Sequence, residues 1–497
     1  MISLVCIEFK SGGRLPITTL QERPPRPFFE SRHRINLELV VFMMPAAVKP
    51  LRKLRFIDLF CGLGGFHQAL AALGHECVFA SEIDRELAEL YQRNLGLKPR
   101  GDIRGVLPEE IPAHDVLCAG FPCQNYSKAG EQLGMDCPKW GDLITYIIGI
   151  LKHHKPRMLI MENVPNLMRH EGGKTWRRIR KRLSRAGYTI SEAKLSPDMF
   201  GVPQVRERAF IVGRRRGLGE FAWPSATSTP NLSIRSVLDK RPNEARYLEA
   251  HIVEYLKAWQ ELIDALPPDD PLPTWPLWAM EFGATYPYWN STPYSSRFRN
   301  LGRYRGALGK KLAWLSPEEV SDALPSYARD RTRQFPGWKI EFIRKNREFY
   351  RKHQKIIDRW LPRIADFSPS FQKLEWNSRG SPRNIWAHVL QFRASGIRVK
   401  SPRRAPSLVA MTTSQVPVIA WERRFMTVRE CSRLQSMGHL KHLPQTKGAA
   451  FKALGNAVNV TVVKAIAEAL FAADSVQLRK DGQTRTARTR SRLANAA

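Results

Sequence analysis

A glycine-rich turn between an apolar strand and a helix is the feature that most restricts the fold of this chain. The segment FIDLFCGLGGFHQAL, residues 56–70, places Gly62, Gly64 and Gly65 at that turn. Apolar, strand-like segments recur downstream in ECVFASEID, RMLIMENV and RAFIVGRR, with helical stretches between them. Strands that alternate with helices form a mainly parallel sheet with helices on its faces. The sequence therefore predicts an α/β fold with a Rossmann-like domain, whose regular alternation ends near Arg214.

The glycine turn also predicts a ligand site, because it lets the backbone approach a ligand beside a helix N-terminus. Glu82 ends the next strand, where its carboxylate can accept both hydroxyls of a ribose, and Asp102 in GDI can accept from an adenine amino group. The turn has the spacing Asp58-x-Phe60-x-Gly62 in place of G-x-G-x-x-G. That spacing favours S-adenosylmethionine over NAD, since no pyrophosphate has to be held. A dinucleotide site, and glycines that only turn the chain, stay open as alternatives.

One cysteine stands at a position where reacting groups collect. Cys123 follows the apolar residues 115–120 and a proline, so it is expected on a loop just beyond the carboxyl end of a buried strand. A thiol there is either a packing residue or a nucleophile. The seven cysteines form no C-x-x-C pair, which argues against a disulfide framework and a zinc site. No metal is expected, and a reducing cytoplasm fits this cysteine content.

The net charge of +33 indicates what kind of partner the chain has. Residues 214–400 hold 32 lysines and arginines against 19 aspartates and glutamates, so the excess is not confined to a terminal tail. Self-repulsion of this size is usually compensated by a polyanion. Nucleic acid is therefore the expected partner, with a solvated basic surface as the alternative. No apolar run approaches the roughly 20 residues of a membrane span, so no membrane partner is expected.

Six sequence blocks, in a fixed order, resemble those of the DNA (cytosine-5)-methyltransferases. They are FIDLFCGLGGF, GFPCQNYS, MENV, PQVRERAFIVG, TVRECSRLQ and GNAVNV, and they cover residues 51–213 and 405–470. The resemblance implies methyl transfer from S-adenosylmethionine to carbon 5 of cytosine in double-stranded DNA, by the protective methylase of a bacterial restriction–modification system. It also implies that the base is flipped out of the duplex, because a stacked base exposes neither face to attack.

The resemblance assigns catalytic roles to three residues. It implies that Cys123 is the nucleophile that adds to carbon 6 of the cytosine, that Glu162 gives a proton to ring nitrogen 3, and that Arg208 binds the 2-carbonyl oxygen. Arg206 is expected to support the loop or to contact a DNA phosphate. The implied S-adenosylmethionine pocket comprises Phe60, Gly62, Leu63, Gly65, Glu82, Ile83, Asp102, Ile103, Gly120, Pro122, Leu143, Asn456 and Val458.

Two positions depart from the family pattern. Trp140, in CPKWGDL, stands where the family often has an arginine, which puts one phosphate contact in doubt unless Lys139 replaces it. Ala129 stands where the family often has a serine, which weakens one expected DNA contact. Neither change involves the three catalytic residues.

The chain is predicted to divide into four parts. Residues 51–213 and 402–473 form a discontinuous catalytic domain, and residues 214–401 form a smaller, irregular target-recognition domain. Residues 1–50 are expected to be disordered or a start-site overrun, and residues 474–497 a basic disordered tail. The segment SRGSPRNIWAHVLQFRASGIRVK is one candidate for base contacts. The other expected DNA contacts are Gln124, Ser127, Arg206, Arg297, Arg299, Arg303 and Arg305.

The enzyme is expected to act as a monomer in the cytoplasm, at the nucleoid. A cognate restriction endonuclease would share its DNA site without forming a stable complex with it. Two other functions stay open: a tRNA cytosine methyltransferase, which uses the same chemistry, and a catalytically silent DNA-binding or regulatory module. A cofactor-dependent methylation assay separates the silent module from an enzyme.

Overall fold

The computed structural model describes residues 53–122, 143–227, 231–297, 300–410 and 413–494, with side chains as far as Lys480. Its strands are β1 Arg55–Leu59, β2 Glu76–Ser81, β3 Val116–Ala119, β4 Met158–Asn163, β5 Thr189–Leu195, β6 Gln204–Val205, β7 Arg208–Arg214, β8 Leu277–Trp278, β9 Lys373–Trp376, β10 Val389–Arg393, β11 Gly396–Lys400, β12 Ala405–Pro406, β13 Val418–Ile419 and β14 Arg424–Phe425. Its helices are α1 Gly65–Ala71, α2 Arg85–Leu95, α3 Leu143–His154, α4 Lys174–Arg185, α5 Ala250–Ala265, α6 Pro317–Asp322, α7 Gly337–Lys352, α8 Gln354–Trp360, α9 Val428–Leu434, α10 Lys447–Asn456 and α11 Val460–Ala494.

A six-stranded sheet in the order β2-β1-β3-β4-β7-β5 carries the first half of the chain. The four strands from β2 to β4 are parallel, whereas β7 runs antiparallel to both β4 and β5. All six residues of β4 and all four of β3 are buried, as expected for central strands covered on both faces. This arrangement confirms the predicted α/β fold.

Helices cover both faces of this sheet. On one face α1 packs against α11, and Phe56 of β1 and Met158 of β4 share a hydrophobic core with Val463 of α11. On the other face Leu159 of β4 packs in a second core with Ile147 of α3 and with residues of α4. The last helix of the chain therefore lies beside its first strand.

A second six-stranded sheet has the order β14-β13-β10-β11-β9-β8. It is antiparallel except between β11 and β9, and α5 and α8 pack in its core. The predicted domain boundary at residue 401 passes through this sheet, because β13 and β14 follow that boundary while β10 precedes it. Pairing between β10 and β13 joins the two parts through backbone hydrogen bonds, which sequence periodicity does not reveal.

The C-terminal helix corrects the predicted start of a disordered tail at residue 474. α11 continues to Ala494. Asp474 is 3% exposed, accepts a 2.8 Å hydrogen bond from Arg214 and also pairs with Arg157. Residues that extend a helix already formed avoid the cost of nucleation, and the arginines and alanines in this stretch favour helix.

The stretch Lys447–Lys480 is long and apolar enough, by length and composition, to cross a membrane. In the structure, 61% of its most apolar window is buried within the protein. Val463, Ile466 and Leu470 are completely buried in the core of the first sheet. The apolar composition is thus explained by a core helix.

Candidate active site

A pocket of about 240 Å³ opens at the carboxyl ends of the parallel strands. The chain leaves β1 for β2 on one side and reaches β3 on the other, which creates the crevice where open α/β sheets bind ligands. Every residue predicted to hold the cofactor lines this pocket, as do Glu162, Arg206 and Arg208. Lining residues that the sequence reasoning missed are Cys61, Phe66, Ser81, Leu87, Gly101, Phe121, Val164, Ala453, Gly455 and Ala457.

The glycine turn shapes the pocket floor. Gly62 has φ +50°, and a Cβ there would meet no atom within 4 Å, so this part of the backbone is open to a ligand. A Cβ on Gly65 would come within 2.4 Å of Val458 Cγ1 and 2.6 Å of its carbonyl oxygen. Phe60 has φ 58°, a left-handed conformation that costs a non-glycine residue about 1–3 kcal/mol. Close packing and local strain thus fix the turn before a ligand arrives.

Glu82 is held by the backbone on either side of it. Its carboxylate accepts a 2.8 Å hydrogen bond from the N–H of Gly62 and a 3.0 Å hydrogen bond from that of Asp84. Burial raises the pKa of Glu82, and these backbone donors partly oppose the rise. The carboxylate therefore faces the pocket in a fixed orientation, as a group that accepts ribose hydroxyls must.

Asp102 is paired with a residue of its own loop. Its carboxylate accepts hydrogen bonds from the backbone N–H of Arg104 at 3.0 Å and from its Nε at 2.8 Å. The side-chain hydrogen bond from Arg104 lowers the pKa of Asp102, so the carboxylate stays ionised. It lies in the pocket lining with Ile83, which is 49% exposed and offers an apolar contact.

A cluster of polar side chains lies beneath the turn, and the sequence predicted no role for it. Asp58 is completely buried, and its carboxylate accepts from the backbone N–H of His67 and from the hydroxyl of Tyr91, each at 3.3 Å. Tyr91 also lies 2.8 Å from the His67 ring. Burial raises the pKa of Asp58 well above its ordinary value. The cluster ties β1, α1 and α2 together directly below the pocket.

Arg206 connects the pocket to the returning end of the chain. Its guanidinium donates to the carbonyl oxygens of Leu408 at 2.9 Å, Gly455 at 2.7 Å and Ala457 at 3.0 Å. The side chain is 2% exposed. The structure therefore supports the first of the two expected roles, support of the loop. The expected contact between Arg206 and DNA stays a prediction that this burial and these backbone partners do not favour.

Glu162 and Arg208 form an ion pair at the inner end of the pocket. The Nε of Arg208 lies 3.1 Å from the Glu162 carboxylate, and their side chains are 17% and 11% exposed. Burial raises the pKa of Glu162, and the charges of Arg208 and Arg206 partly oppose that rise. A carboxyl group that holds its proton more readily than usual thus lies beside a permanent cation.

The remaining predicted residues fall into two groups. Cys123, Gln124, Ser127, Ala129, Lys139, Trp140 and Arg299 lie outside the described residues, as do residues 1–50. Arg297, Arg303 and Arg305 are exposed, and none of them lines the pocket. Within the described ranges, no group of three or more histidine, cysteine, aspartate or glutamate side chains could hold a metal ion. The DNA contacts assigned to the three exposed arginines stay predictions.

The fold and the pocket define an S-adenosylmethionine-dependent methyltransferase: a glycine turn, a fixed carboxylate at the end of β2 and a second carboxylate after it fit an adenosine-containing cofactor. The family model for C-5 cytosine-specific DNA methylases matches residues 54–265 and 317–472. The chain therefore belongs to this family and is a DNA (cytosine-5)-methyltransferase. The family match leaves residues 266–316 uncovered.

Known relatives are similar along most of the chain or along about a third of it. The type II methyltransferase M.AluI of Cellulosimicrobium cellulans is 31% identical over 493 residues, 83% of this chain and 91% of the relative. M.HhaI of Haemophilus parahaemolyticus is 42% identical over 178 residues, 35% of this chain and 54% of the relative. The solved methyltransferase EhMeth of Entamoeba histolytica shares 13% identity and a TM-score of 0.45, over 84% of this chain and 98% of its own. That last likeness adds nothing to the sequence matches.

Proposed function

We propose that this enzyme methylates one cytosine in a specific short duplex DNA sequence, through a covalent adduct between Cys123 and a flipped base. We further propose that it protects DNA in a restriction–modification system, since the relatives M.AluI and M.HhaI are named type II methyltransferases. The observation that carries the mechanism is the Glu162–Arg208 pair. It lies in the pocket that Pro122, the residue directly before Cys123, also lines.

The nucleophile makes carbon 5 reactive. Cytosine carbon 5 is a weak nucleophile, and addition of a thiolate to carbon 6 turns it into the reactive end of an enamine. The four cysteines among the described residues do not suit this step, because burial raises the pKa of Cys61, Cys77, Cys118 and Cys431. Cys123 is adjacent in sequence to the pocket and is the residue that the family resemblance assigns.

Glu162 supplies the proton that this addition needs. Thiolate addition places negative charge on the ring, which a proton at ring nitrogen 3 neutralises. The raised pKa of Glu162 increases the protonated fraction available for that donation. Gly120 leaves room beside the carboxyl, since a Cβ there would lie 4.0 Å from Glu162 Oε2.

Arg208 orients the acid and stabilises the developing charge. Its Nε already contacts Glu162, and its second function is to donate to the 2-carbonyl oxygen, where negative charge also accumulates. Bound S-adenosylmethionine supplies the methyl group, as an electrophile on its sulfonium. The proton on carbon 5 then passes to water, Glu162 takes back the proton of ring nitrogen 3, and departure of the Cys123 thiolate releases the methylated base.

Recognition of the DNA site is assigned to residues 214–401. This region holds most of the second sheet and, outside the family match, residues 266–316. Its excess of lysine and arginine suits phosphate contacts, and loops beside a flipped base can read neighbouring base edges in the major groove.

A methylation assay tests this function. The purified enzyme, with S-adenosylmethionine, is expected to modify plasmid DNA at one recurring sequence, which bisulfite sequencing identifies. Cys123→Ser should abolish methylation yet bind S-adenosylhomocysteine as the wild type does. A duplex carrying 5-fluorocytosine at the mapped position should form a covalent complex with the wild type, since fluorine blocks the final elimination.

Two results would contradict the proposal. Methylation by Cys123→Ser at the wild-type rate would exclude Cys123 as the nucleophile. Methylation of a tRNA transcript in preference to the plasmid would exclude the DNA substrate. Cys77→Ser is the matched control, because Cys77 lies outside the pocket lining and should leave activity unchanged.

A further inference from the structure

The segment that the family match leaves uncovered, residues 266–316, exposes large aromatic side chains. Trp289 is 55% exposed, Tyr294 41% and Trp314 102%. The segment also holds Arg297, Leu308 and Trp314, three of the nine non-glycine residues with positive φ in the described chain. Exposed apolar surface and stored backbone strain both concentrate at binding sites.

Trp314 is the extreme case. The indole is fully exposed, and its residue has φ 67°, which is unfavourable for a bulky side chain. Among the described residues, Trp314 makes no hydrogen bond and no ring contact. An indole presented to water at the cost of backbone strain loses the burial that normally stabilises tryptophan. Such a side chain is placed for a partner.

The loop that carries Trp314, residues 303–315, has a rigid base. Arg305 and Lys311 form an antiparallel bridge, and the N–H of Leu312 donates to the carbonyl of Tyr304 at 3.2 Å. A Cβ on Gly306 would come within 2.3 Å of the carbonyl oxygen of Ala323, so the base is closely packed. This Trp314 loop therefore presents the indole from a fixed support.

The C-terminal end of the Trp314 loop lies between the buried core and the start of α6. Leu312 is 1% exposed, and Ser316, which follows the loop, begins α6 with a capping box to Glu319. Trp314 is thus held between a buried residue and a capped helix. Its exposure is a property of the folded support rather than of a loose end.

The positive charge of the Trp314 loop indicates that its partner is an anion. Arg303, Arg305, Lys310 and Lys311 are all exposed, and residues 303–315 include no acidic residue. None of the four cations has an ion pair within the described part of the chain. An exposed aromatic ring among unpaired cations is the combination that stacks on nucleobases while lysine and arginine hold the phosphates.

We propose that Trp314 stacks on a base face that flipping of the cytosine leaves exposed in the target DNA, while Lys310 and Lys311 hold the adjoining phosphates. The inference rests on the proposed recognition of a specific duplex site, and it names a residue that contributes to that recognition. It adds a non-polar contact to the arginine contacts expected from the sequence.

Binding of the mapped duplex in the presence of S-adenosylhomocysteine tests the proposal. Trp314→Ala should weaken binding about tenfold, within the range for loss of one base–aromatic stack, whereas Trp314→Phe should retain most of the affinity. Lys310→Ala with Lys311→Ala should lower the slope of log affinity against log salt by about 2, while Trp314→Ala leaves that slope unchanged. Binding of S-adenosylhomocysteine should stay at the wild-type value in all three variants.

Fluorescence gives a direct readout of the indole. The difference in iodide quenching between wild type and Trp314→Phe isolates the signal of Trp314, which should become protected when the duplex binds. Trp338→Ala is the matched control, since Trp338 is 58% exposed, lies within the family match and packs edge-on to Phe342. It should bind DNA as the wild type does.

Three results would overturn the inference. They are Trp314→Ala binding within twofold of the wild type, iodide access to Trp314 unchanged by the duplex, and an equal loss in Trp338→Ala. Wild-type methylation of the plasmid is measured in parallel. If the wild type methylates no DNA, the proposed function fails; if it methylates normally while Trp314→Ala behaves like the wild type, only this inference fails.

Discussion

Arg206 and Gly455, 249 positions apart in the chain, meet in a 2.7 Å hydrogen bond from guanidinium to carbonyl oxygen. This contact joins the segment before β7 to the segment that carries Asn456 and Val458 into the pocket. The pocket is therefore built from both ends of the described chain, and its wall depends on a buried cation bound to neutral carbonyl groups.

Arg206→Ala should destabilise the enzyme and weaken the cofactor site together. Removing the guanidinium leaves the carbonyls of Leu408, Gly455 and Ala457 without this donor, and we expect a loss of about 3 kcal/mol in the free energy of unfolding. Urea unfolding and calorimetric binding of S-adenosylhomocysteine measure the two effects. Arg404→Ala is the control, because that 45% exposed ion-pair partner of Asp198 should contribute less than about 1 kcal/mol. A variant of Arg206 with wild-type stability would contradict the supporting role.

Gly65→Ala should damage the pocket by overpacking. The new methyl would lie 2.4 Å from Val458 Cγ1 and 2.6 Å from a backbone oxygen, so either α1 or the returning segment must shift, at a cost of about 1–3 kcal/mol. Gly149→Ala is the control, because there the added methyl has free space. In the middle of α3 a Cβ meets nothing within 4 Å, and this change should stabilise the protein by about 0.5–1 kcal/mol. Thermal unfolding of both variants, with and without S-adenosylhomocysteine, checks the pair; equal shifts would refute the assigned contact.

Cofactor affinity should depend on the ionisation of Glu82. The ionised carboxylate accepts ribose hydroxyls, and burial raises the pKa of Glu82, so its protonated form persists to higher pH than in an ordinary glutamate. Affinity for S-adenosylhomocysteine should therefore fall as the pH is lowered from about 8 to about 5. Glu82→Gln should bind more weakly at the upper end and lose most of this dependence. A wild-type profile that matches the variant's at every pH would exclude Glu82 as the titrating group.

The protonation of Glu162 should respond to Arg208. Burial raises the pKa of Glu162, and the charge of Arg208 partly opposes the rise, so Arg208→Ala should raise that pKa further and keep the carboxyl protonated to higher pH. The carboxyl band in infrared difference spectra, assigned by its absence in Glu162→Gln, reports this pKa directly. Glu162→Gln should also lower the methylation rate by about 10²- to 10⁴-fold. A band that shifts to lower pH in Arg208→Ala would show that Arg208 does not act on this carboxyl.

Asp474→Ala should loosen the C-terminal helix from the sheet. Arg214 is 3% exposed and would lose its carboxylate partner, which for a buried pair costs about 3–5 kcal/mol. Lys480 lies six residues after Asp474 on the same helix and forms an exposed ion pair with Glu220. Lys480→Ala should therefore cost less than about 1 kcal/mol. Hydrogen exchange of α11 and urea unfolding compare the two variants. Similar losses of stability in both would contradict a larger contribution from the buried pair.

Local sequence chemistry was sufficient for the α/β fold and, within the pocket, for the glycine turn, Glu82 and Asp102. Glycines at a strand-to-helix turn and carboxylates at the ends of the next strands are specified by positions close in the chain. Because the carboxyl ends of parallel strands meet at one edge of the sheet, Glu82 and Glu162 had to lie near the turn at Gly62. The family resemblance supplied the roles of Glu162 and Arg208 and the remaining pocket residues, including Asn456 and Val458 from the far end of the chain.

Only the tertiary structure decided how the distant parts fit together. The bond from Arg206 to Gly455, the pairing of β10 with β13 across the expected domain boundary and the burial of Asp474 against Arg214 all join residues far apart in sequence. The exposure of Trp314 is equally non-local, since it depends on which aromatic residues the core accepts. Local propensity records what each segment prefers, whereas burial and long-range hydrogen bonds depend on which segments meet.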